Sequence, residues 1–281
     1  MRCFKHALLL LSLVMVGACE NKPAAVSTDP GKSVPLPLTD TNPKNVPTPA
    51  KPTFAKPTAG TGQAYTLRIN EKEGNTWNYT YEVKTFADPR GMTKDNPQWK
   101  QVPGYTEANV AGNVTMVVTG VKSGQTTFKK TATVTKSVAT GVWKDQAAEV
   151  AKNKPDMVIF TWDELMTNIN ADKGELYDVM TNSLSGLYPK DPVQVGSTWE
   201  YRPLPDATEN SKAKLEAVEK MDGFNTVRIS VQFPGSQPGE TNKMLVWIDP
   251  TNGRFIKLLM DSVANSNGLK MENHFVQEIK K

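Results

Sequence analysis

Cysteine is nearly absent from this chain: of 281 residues only Cys3 and Cys19 carry a thiol. Both stand at the extreme N-terminus, so no disulfide framework staples the rest, and any core must hold by packing alone. Histidine is as scarce, with His274 the only one beyond His6. One imidazole without a free thiol cannot build the usual His- or Cys-rich metal site, and His274 reads as a strand-face residue rather than a general base. No apolar run after Val16 approaches the roughly 18 residues that a membrane-spanning helix needs. Charge of one sign is missing too. Leaving out residues 1 to 18 removes only Arg2 and Lys5 from the 33 Lys and Arg, against 29 Asp and Glu. A near-neutral chain with both signs interspersed lacks the basic stripe by which nucleic-acid readers neutralise phosphates, and Lys129-Lys130 reads as a solvated strand face. Also missing are a Gly-x-Ser-x-Gly elbow, a Walker loop and a dinucleotide fingerprint.

What is present begins at the first residue. Arg2 and Lys5 precede an apolar run from Ala7 to Val16, which stops at Val16-Gly17-Ala18-Cys19. A charged start, an apolar core of about ten residues and small residues at a cut mark an export signal, too short to span a bilayer. With a cysteine just after the cut, the pattern resembles the lipobox of bacterial lipoprotein precursors. The resemblance implies that the Cys19 thiol takes a diacylglycerol, that residues 1–18 are removed, and that the new amino group is acylated, palmitate being a typical chain. Several acyl chains, at about 0.8 kcal/mol per buried CH2, hold a protein on a bilayer far more firmly than one. In families of this kind an aspartate after the cysteine favours inner-membrane retention. Here Glu20, a poor mimic of it, implies delivery to the outer membrane, facing the periplasm, if the host has one.

From Glu20 to about Gly60 the chain carries nine of its twenty prolines among Thr, Lys, Ala and Asn. A segment so poor in large apolar residues cannot offset its ordering entropy, and closely spaced prolines favour extended backbone. At about 3.1 Å per residue it reaches on the order of 120 Å if fully extended. Residues 19–62 are therefore expected to form a lipidated, Pro-rich disordered tether, and residues 63–281 a single β-rich domain.

Within that domain, side chains alternate on period two. Tyr65, Leu67 and Ile69, then Trp77, Tyr79, Tyr81 and Val83, bracket a Gly-containing loop and predict a hairpin. Val114-Met116-Val118 and Phe128-Ala132-Val134 flank Ser123-Gly124; Ala213-Leu215-Ala217 and Val227-Ile229-Val231-Phe233 flank Asp222-Gly223, a strong short-turn signal. Met244-Val246-Ile248, a turn through Gly253, Ile256-Leu258-Met260 and a last strand over Leu269–Ile279 complete an antiparallel set. The period changes between the two sets: Trp162, Leu165, Met166 and Ile169 fall at i, i+3, i+4 and i+7, with Thr161 and Glu164 as a capping box, which predicts a helix. A second helix is predicted from about Lys173 to Ser185, with Leu176, Val179, Met180 and Leu184 on one side and Gly186 ending it. A shorter helical piece is predicted near Gln146 to Lys152. The expected fold is thus α+β, mainly β: an antiparallel sheet forming an unclosed barrel with a helical insertion at about 161–185. Gly74-Asn75-Thr76-Trp77-Asn78-Tyr79 matches Gly196-Ser197-Thr198-Trp199-Glu200-Tyr201, and Val142-Trp143-Lys144-Asp145 weakly echoes Val246-Trp247-Ile248-Asp249, as a duplicated strand unit would.

The run from Leu187-Tyr188-Pro189-Lys190-Asp191-Pro192 through Val195-Gly196-Ser197-Thr198-Trp199, and Trp247-Ile248-Asp249-Pro250 before Gly253, resemble segments of bacterial lipoproteins with the fold of the periplasmic lipoprotein carriers. That resemblance implies an unclosed antiparallel barrel with helices across its concave side, around an apolar cavity. None of that family's functional residues maps onto numbered positions here, and a half-barrel does not fix a function.

The expected function is therefore that of a non-enzymatic, membrane-anchored lipoprotein, with no cofactor or metal, that binds a hydrophobic ligand or lipid. Its cavity would be lined by inward strand residues and by Leu165, Met166, Ile169, Leu176 and Met180, methionine adapting well to irregular shapes. The alternative is a tethered interaction module with a filled core, docking an envelope protein or the cell wall through a patch at Trp99 and Tyr105 in the long aperiodic stretch Phe86 to Asn109. A third reading, a cell-wall hydrolase, requires two carboxylates roughly 5 to 9.5 Å apart in a polar cleft.

Overall fold

The computed structural model describes residues 57–91, 104–152, 155–171, 184–202, 210–233, 241–266 and 268–280. Along β2 (Thr76–Asp88) exposed and buried side chains alternate, so Trp77, Tyr79, Tyr81 and Val83 all face one side. The same period-two pattern builds β3 (Thr106–Lys122) and β4 (Gln125–Ala139), each paired antiparallel with the strand before it. β5 (Asp156–Asp163) and the short β6 (Asn168–Ala171) continue that meander outward. A second meander runs through β8 (Thr198–Tyr201), β9 (Ser211–Met221), β10 (Phe224–Phe233), β11 (Thr241–Asp249), β12 (Arg254–Ser266) and β13 (Leu269–Ile279). β13 then pairs with β2, joining the two meanders into one antiparallel sheet of eleven strands whose edges, β6 and β8, do not pair. This is the expected mainly-β, unclosed antiparallel architecture. The last strand has the bounds that its alternation predicted.

The two turns foreseen as tight have the required backbone. Ser123 and Gly124 have φ of 52° and 76°, and Asp222 and Gly223 have 52° and 90°. Positive φ at both central residues suits the right-handed twist of the flanking strands.

The helical insertion is where the chain departs from its pattern. Residues 161–163 belong to β5 and 168–171 to β6, and the expected cap is a hairpin turn. The Asp163 carboxylate accepts from the amides of Leu165 at 2.9 Å and Thr167 at 2.7 Å, and Met166 sits at φ 65°, which no α-helix tolerates. The 3.6-residue spacing was coincidental: Phe160 and Trp162 alternate into the core against Phe128, and the remaining strand partner of β4 outweighs local helix propensity. The rest of the expected insertion, residues 172–183, lies outside the described residues. The helix observed, α1 (Lys144–Val150), coincides with the shorter piece expected near 146–152 and buries Ala147 and Val150.

A second correction concerns the first hairpin. β1 is Thr61–Tyr65, and it pairs with β7 (Val193–Val195), not with β2. Leu67 and Ile69 are buried without belonging to a strand. Ile69 donates its amide to Glu164 O and Asn70 to Asn252 O, so this segment ties the turns of both meanders together.

The repeat motif has a structural meaning. Gly74 and Gly196, at φ 85° and 92°, each release the chain into the first strand of a meander, where Trp77 and Tyr79, or Trp199 and Tyr201, turn into the core. The strands preceding each motif, β1 and β7, pair with one another. The Trp143 and Trp247 echo has no such counterpart, since Trp143 lies in a 3-10 turn and Trp247 in β11.

The core lies on the inner face, where Trp77 packs edge-on against Phe128 at 5.1 Å and Phe255 at 5.5 Å. Tyr81 needs room there, and Gly112 supplies it at a register shift in β3. A Cβ at residue 112 would stand 1.9 Å from Thr133 O and 2.7 Å from the Tyr81 ring. Gly112→Ala is therefore expected to lower stability by about 1–3 kcal/mol through overpacking, read as a drop in the urea midpoint at unchanged slope.

Candidate ligand groove

Two irregular segments cross the inner face, and side chains in the described residues fill the space beneath them. Leu67, Leu184, Leu187 and Val193 are fully buried. Arg68 clamps these segments together, donating to the carbonyl oxygens of Pro189 at 2.8 Å and Lys190 at 2.5 Å. The Tyr188 hydroxyl donates to Gly253 O at 2.5 Å, and the Trp199 indole N–H to Leu187 O at 2.7 Å. Tyr188 and Trp199 of the Leu-Tyr-Pro and Gly-Ser-Thr-Trp words are therefore parts of a structural lock. Burial raises the hydroxyl pKa of Tyr79, Tyr188 and Tyr201 well above the ordinary tyrosine value.

Of the cavity-lining residues expected from the sequence, Met166 is packed into this core and Leu165 lies half-buried against it. Ile169 is in β6, while Leu176 and Met180 lie outside the described residues, as does Trp99. Tyr105 is 57 % exposed and leans on Phe86, ring centroids 6.3 Å apart. Lys130 also departs from expectation: its register with Met116 and Val158 places it on the inner side, half-buried, while Lys129 faces solvent. Among the described residues, the indole N–H groups of Trp77 and Trp162 and the side-chain amide of Gln277 on the inner face have no acceptor. Each such group costs about 1–3 kcal/mol when buried unpaired.

One open space bounded by described residues lies on the other side of the sheet. A groove of about 880 Å³ runs over the outer faces of β8 to β12, bounded at one end by Thr58. Thr58 donates its amide to Thr198 O at 2.9 Å, so the chain enters the domain along the β8 edge beside this groove. The register explains its chemistry. Thr198, Lys214, Ser230, Leu245 and Leu259 follow one another across neighbouring strands on the outer face, and Val276 continues the row. Half-buried Leu245 and Leu259 form an apolar floor to the groove. The next row reads Glu200, Lys212, Gln232, Lys243 and Asp261.

Most of the charges here are already engaged. Lys214 donates to Glu216 at 2.9 Å and Ser230 to the same carboxylate at 2.8 Å. The bond from Lys214, followed by that from Ser230, holds the Glu216 carboxyl below its usual pKa range. Glu200 accepts from Asn210, and Asp261 meets His274 at 2.7 Å. Lys212 and Lys243 are exposed and have no carboxylate partner among the described residues. No local pattern announces this site, because leucines and lysines on alternating strand positions converge only through the cross-strand register.

Comparison with known proteins returned no matching family model and no matching curated protein. Among solved structures, the chain is similar to a protein from Bacteroides fragilis described as exported and of YmcC-like fold, at 9% identity and a TM-score of 0.32, covering 77% of this chain and 100% of that one. It is also similar to a DUF1329 family protein from Desulfovibrio piger, at 9% identity and a TM-score of 0.17, covering 73% of this chain and 85% of that one. Likenesses this loose carry no functional argument. Among the described residues, no helix is long and apolar enough to cross a membrane.

Proposed function

We propose that this chain is a lipid-anchored protein of the bacterial envelope that binds an amphiphilic or hydrophobic molecule without transforming it, and that it does so in the outer-face groove rather than inside the half-barrel. The observation that carries this reading is the half-buried Leu245–Leu259 floor of a groove of about 880 Å³, within the range typical of small-molecule sites. On the inner side, the described segments pack down onto the core. The lipobox pattern at Cys19 and the Pro-rich tether support the location. Cys19→Ser is expected to abolish incorporation of labelled palmitate; undiminished labelling would remove the anchor from the proposal.

The binding itself is tested on the mature polypeptide, residues 20–281, exported behind a signal without a lipobox and purified without detergent. Native mass spectrometry is expected to show one acyl-chain-bearing molecule per chain, lost in the double variant Leu245→Ser, Leu259→Ser. Retention in that variant would move the site to the inner face, where Trp77, Trp162 and Gln277 offer unused donors. A clean unliganded mass, with no uptake of added envelope lipids, would favour the tethered interaction module, whose supporting observation is the exposed Tyr105 resting on Phe86.

A further inference from the structure

The register that builds the apolar floor also places beside it two lysines that form no ion pair among the described residues. Lys212 on β9 and Lys243 on β11 each stand opposite Gln232 on β10, on the same outer face. With strands about 4.8 Å apart, their backbones are separated by roughly 10 Å, a span that two flexible ammonium groups close around one anion. Gln232 adds an amide donor between them. Among the described residues, Glu200 and Asp261 stand opposite Lys212 and Lys243 in the register but turn their carboxylates to Asn210 and His274, and Glu216 is held by Lys214 and Ser230. Leu245 and Leu259 continue from this cluster in the adjacent row, so an ionic end and an apolar track lie side by side.

Resting on the proposed groove reading, we infer that the ligand is an anionic amphiphile, its phosphate or carboxylate head held between Lys212 and Lys243 with Gln232 and its chain laid along Leu245 and Leu259. Charge complementarity selects the head, because Lys214 and Lys257, the other cations beside the floor, are paired with Glu216 and Glu278 while Lys212 and Lys243 form no ion pair among the described residues. The apolar floor distinguishes this ligand from a free anion, which would gain nothing from the leucines.

The test uses the mature polypeptide, residues 20–281, and three probes below their micellar concentrations, followed by titration calorimetry at low salt: dodecyl phosphate, dodecyl maltoside and inorganic phosphate. Dodecyl phosphate is expected to bind one to one and about tenfold more tightly than dodecyl maltoside, the size of two exposed ion pairs, with the advantage shrinking as salt rises. In the double variant Lys212→Gln, Lys243→Gln that advantage should vanish while maltoside affinity stays the same; both lysines are exposed, so the fold should survive, as circular dichroism checks. Equal binding of the two dodecyl probes to the unmodified chain would overturn the anionic head yet leave the groove reading intact. Inorganic phosphate binding as tightly as dodecyl phosphate would overturn the amphiphile, and a phosphate preference surviving the lysine changes would place the anion elsewhere. Binding of none of the three would remove both the inference and the groove reading.

Discussion

Above pH 10 the domain is expected to lose stability steeply, by about 4 kcal/mol per pH unit, and to unfold cooperatively between roughly pH 10.5 and 12. The cause is three tyrosines held neutral in the core. Tyr79, Tyr188 and Tyr201 are almost fully buried, and burial raises each pKa well above the ordinary value. The sign follows from the protons bound. Below pH 10 both folded and unfolded chains keep the phenolic proton, and the stabilisation is fully present. As pH climbs past about 10 the unfolded chain releases three protons that the folded chain retains, so each tyrosine costs about 1.4 kcal/mol per unit. The loss continues until the raised folded values are reached. Two of these hydroxyls also donate to backbone carbonyls, Tyr79 to Phe255 and Tyr188 to Gly253, bonds that a phenolate cannot make. Far-ultraviolet circular dichroism and tyrosinate absorbance should change together. The double variant Tyr188→Phe, Tyr201→Phe should keep only about a third of the slope; tyrosinate appearing at pH 10 with the fold intact would show that these rings are not sealed.

Glu71→Ala is expected to cost about 2–4 kcal/mol, slightly less than breaking a fully dry ion pair. The Glu71 side chain is 1% exposed and that of Arg254 20%. Arg254 donates to both carboxylate oxygens of Glu71, at 3.0 and 3.2 Å, and its guanidinium lies over the Trp77 ring at 5.3 Å. Asn75 donates to the same carboxylate. Removing the acid leaves a largely buried cation against an aromatic face and frees the segment before β2 from the start of β12. Replacing both members, Glu71→Leu with Arg254→Met, should restore most of the loss, because no charge is then left unpaired. Urea midpoints of the two single variants and the double variant measure this coupling. Additive costs would show that the pair contributes little.

Much of the sheet was legible because a strand with one buried face writes its own alternation. Val114 to Val118 reads correctly for that reason, and so do Ala213 and Leu215, after which a register shift sets Ala217 opposite Arg228. The same rule failed where local pattern and tertiary demand diverged. Trp162, Leu165, Met166 and Ile169 spell a helical face, yet β4 had an open edge that needed Phe160 and Trp162 on a strand. Leu67 and Ile69 alternate like a strand but are buried beneath turns of both meanders. Lys130 next to Lys129 looks solvated in one dimension and faces inward in three. The groove was invisible because its lining comes from five strands, none of which carries an unusual local pattern.

The sequence by itself determined the charged start and apolar run that stop at Cys19, the proline-rich segment, a cysteine content of two with none after residue 19, and an antiparallel sheet with tight turns at Ser123-Gly124 and Asp222-Gly223. Those features are local: a run of apolar residues, a proline density or a glycine at positive φ acts through its nearest neighbours. Only the tertiary structure decided that a groove opens on the outer face of β8 to β12, that β13 pairs with β2 while the edge strands β6 and β8 do not pair with each other, and that Lys212, Gln232 and Lys243 stand together beside Leu245 and Leu259. These depend on cross-strand register between residues far apart in the chain, where a shift of one position turns every side chain to the opposite face.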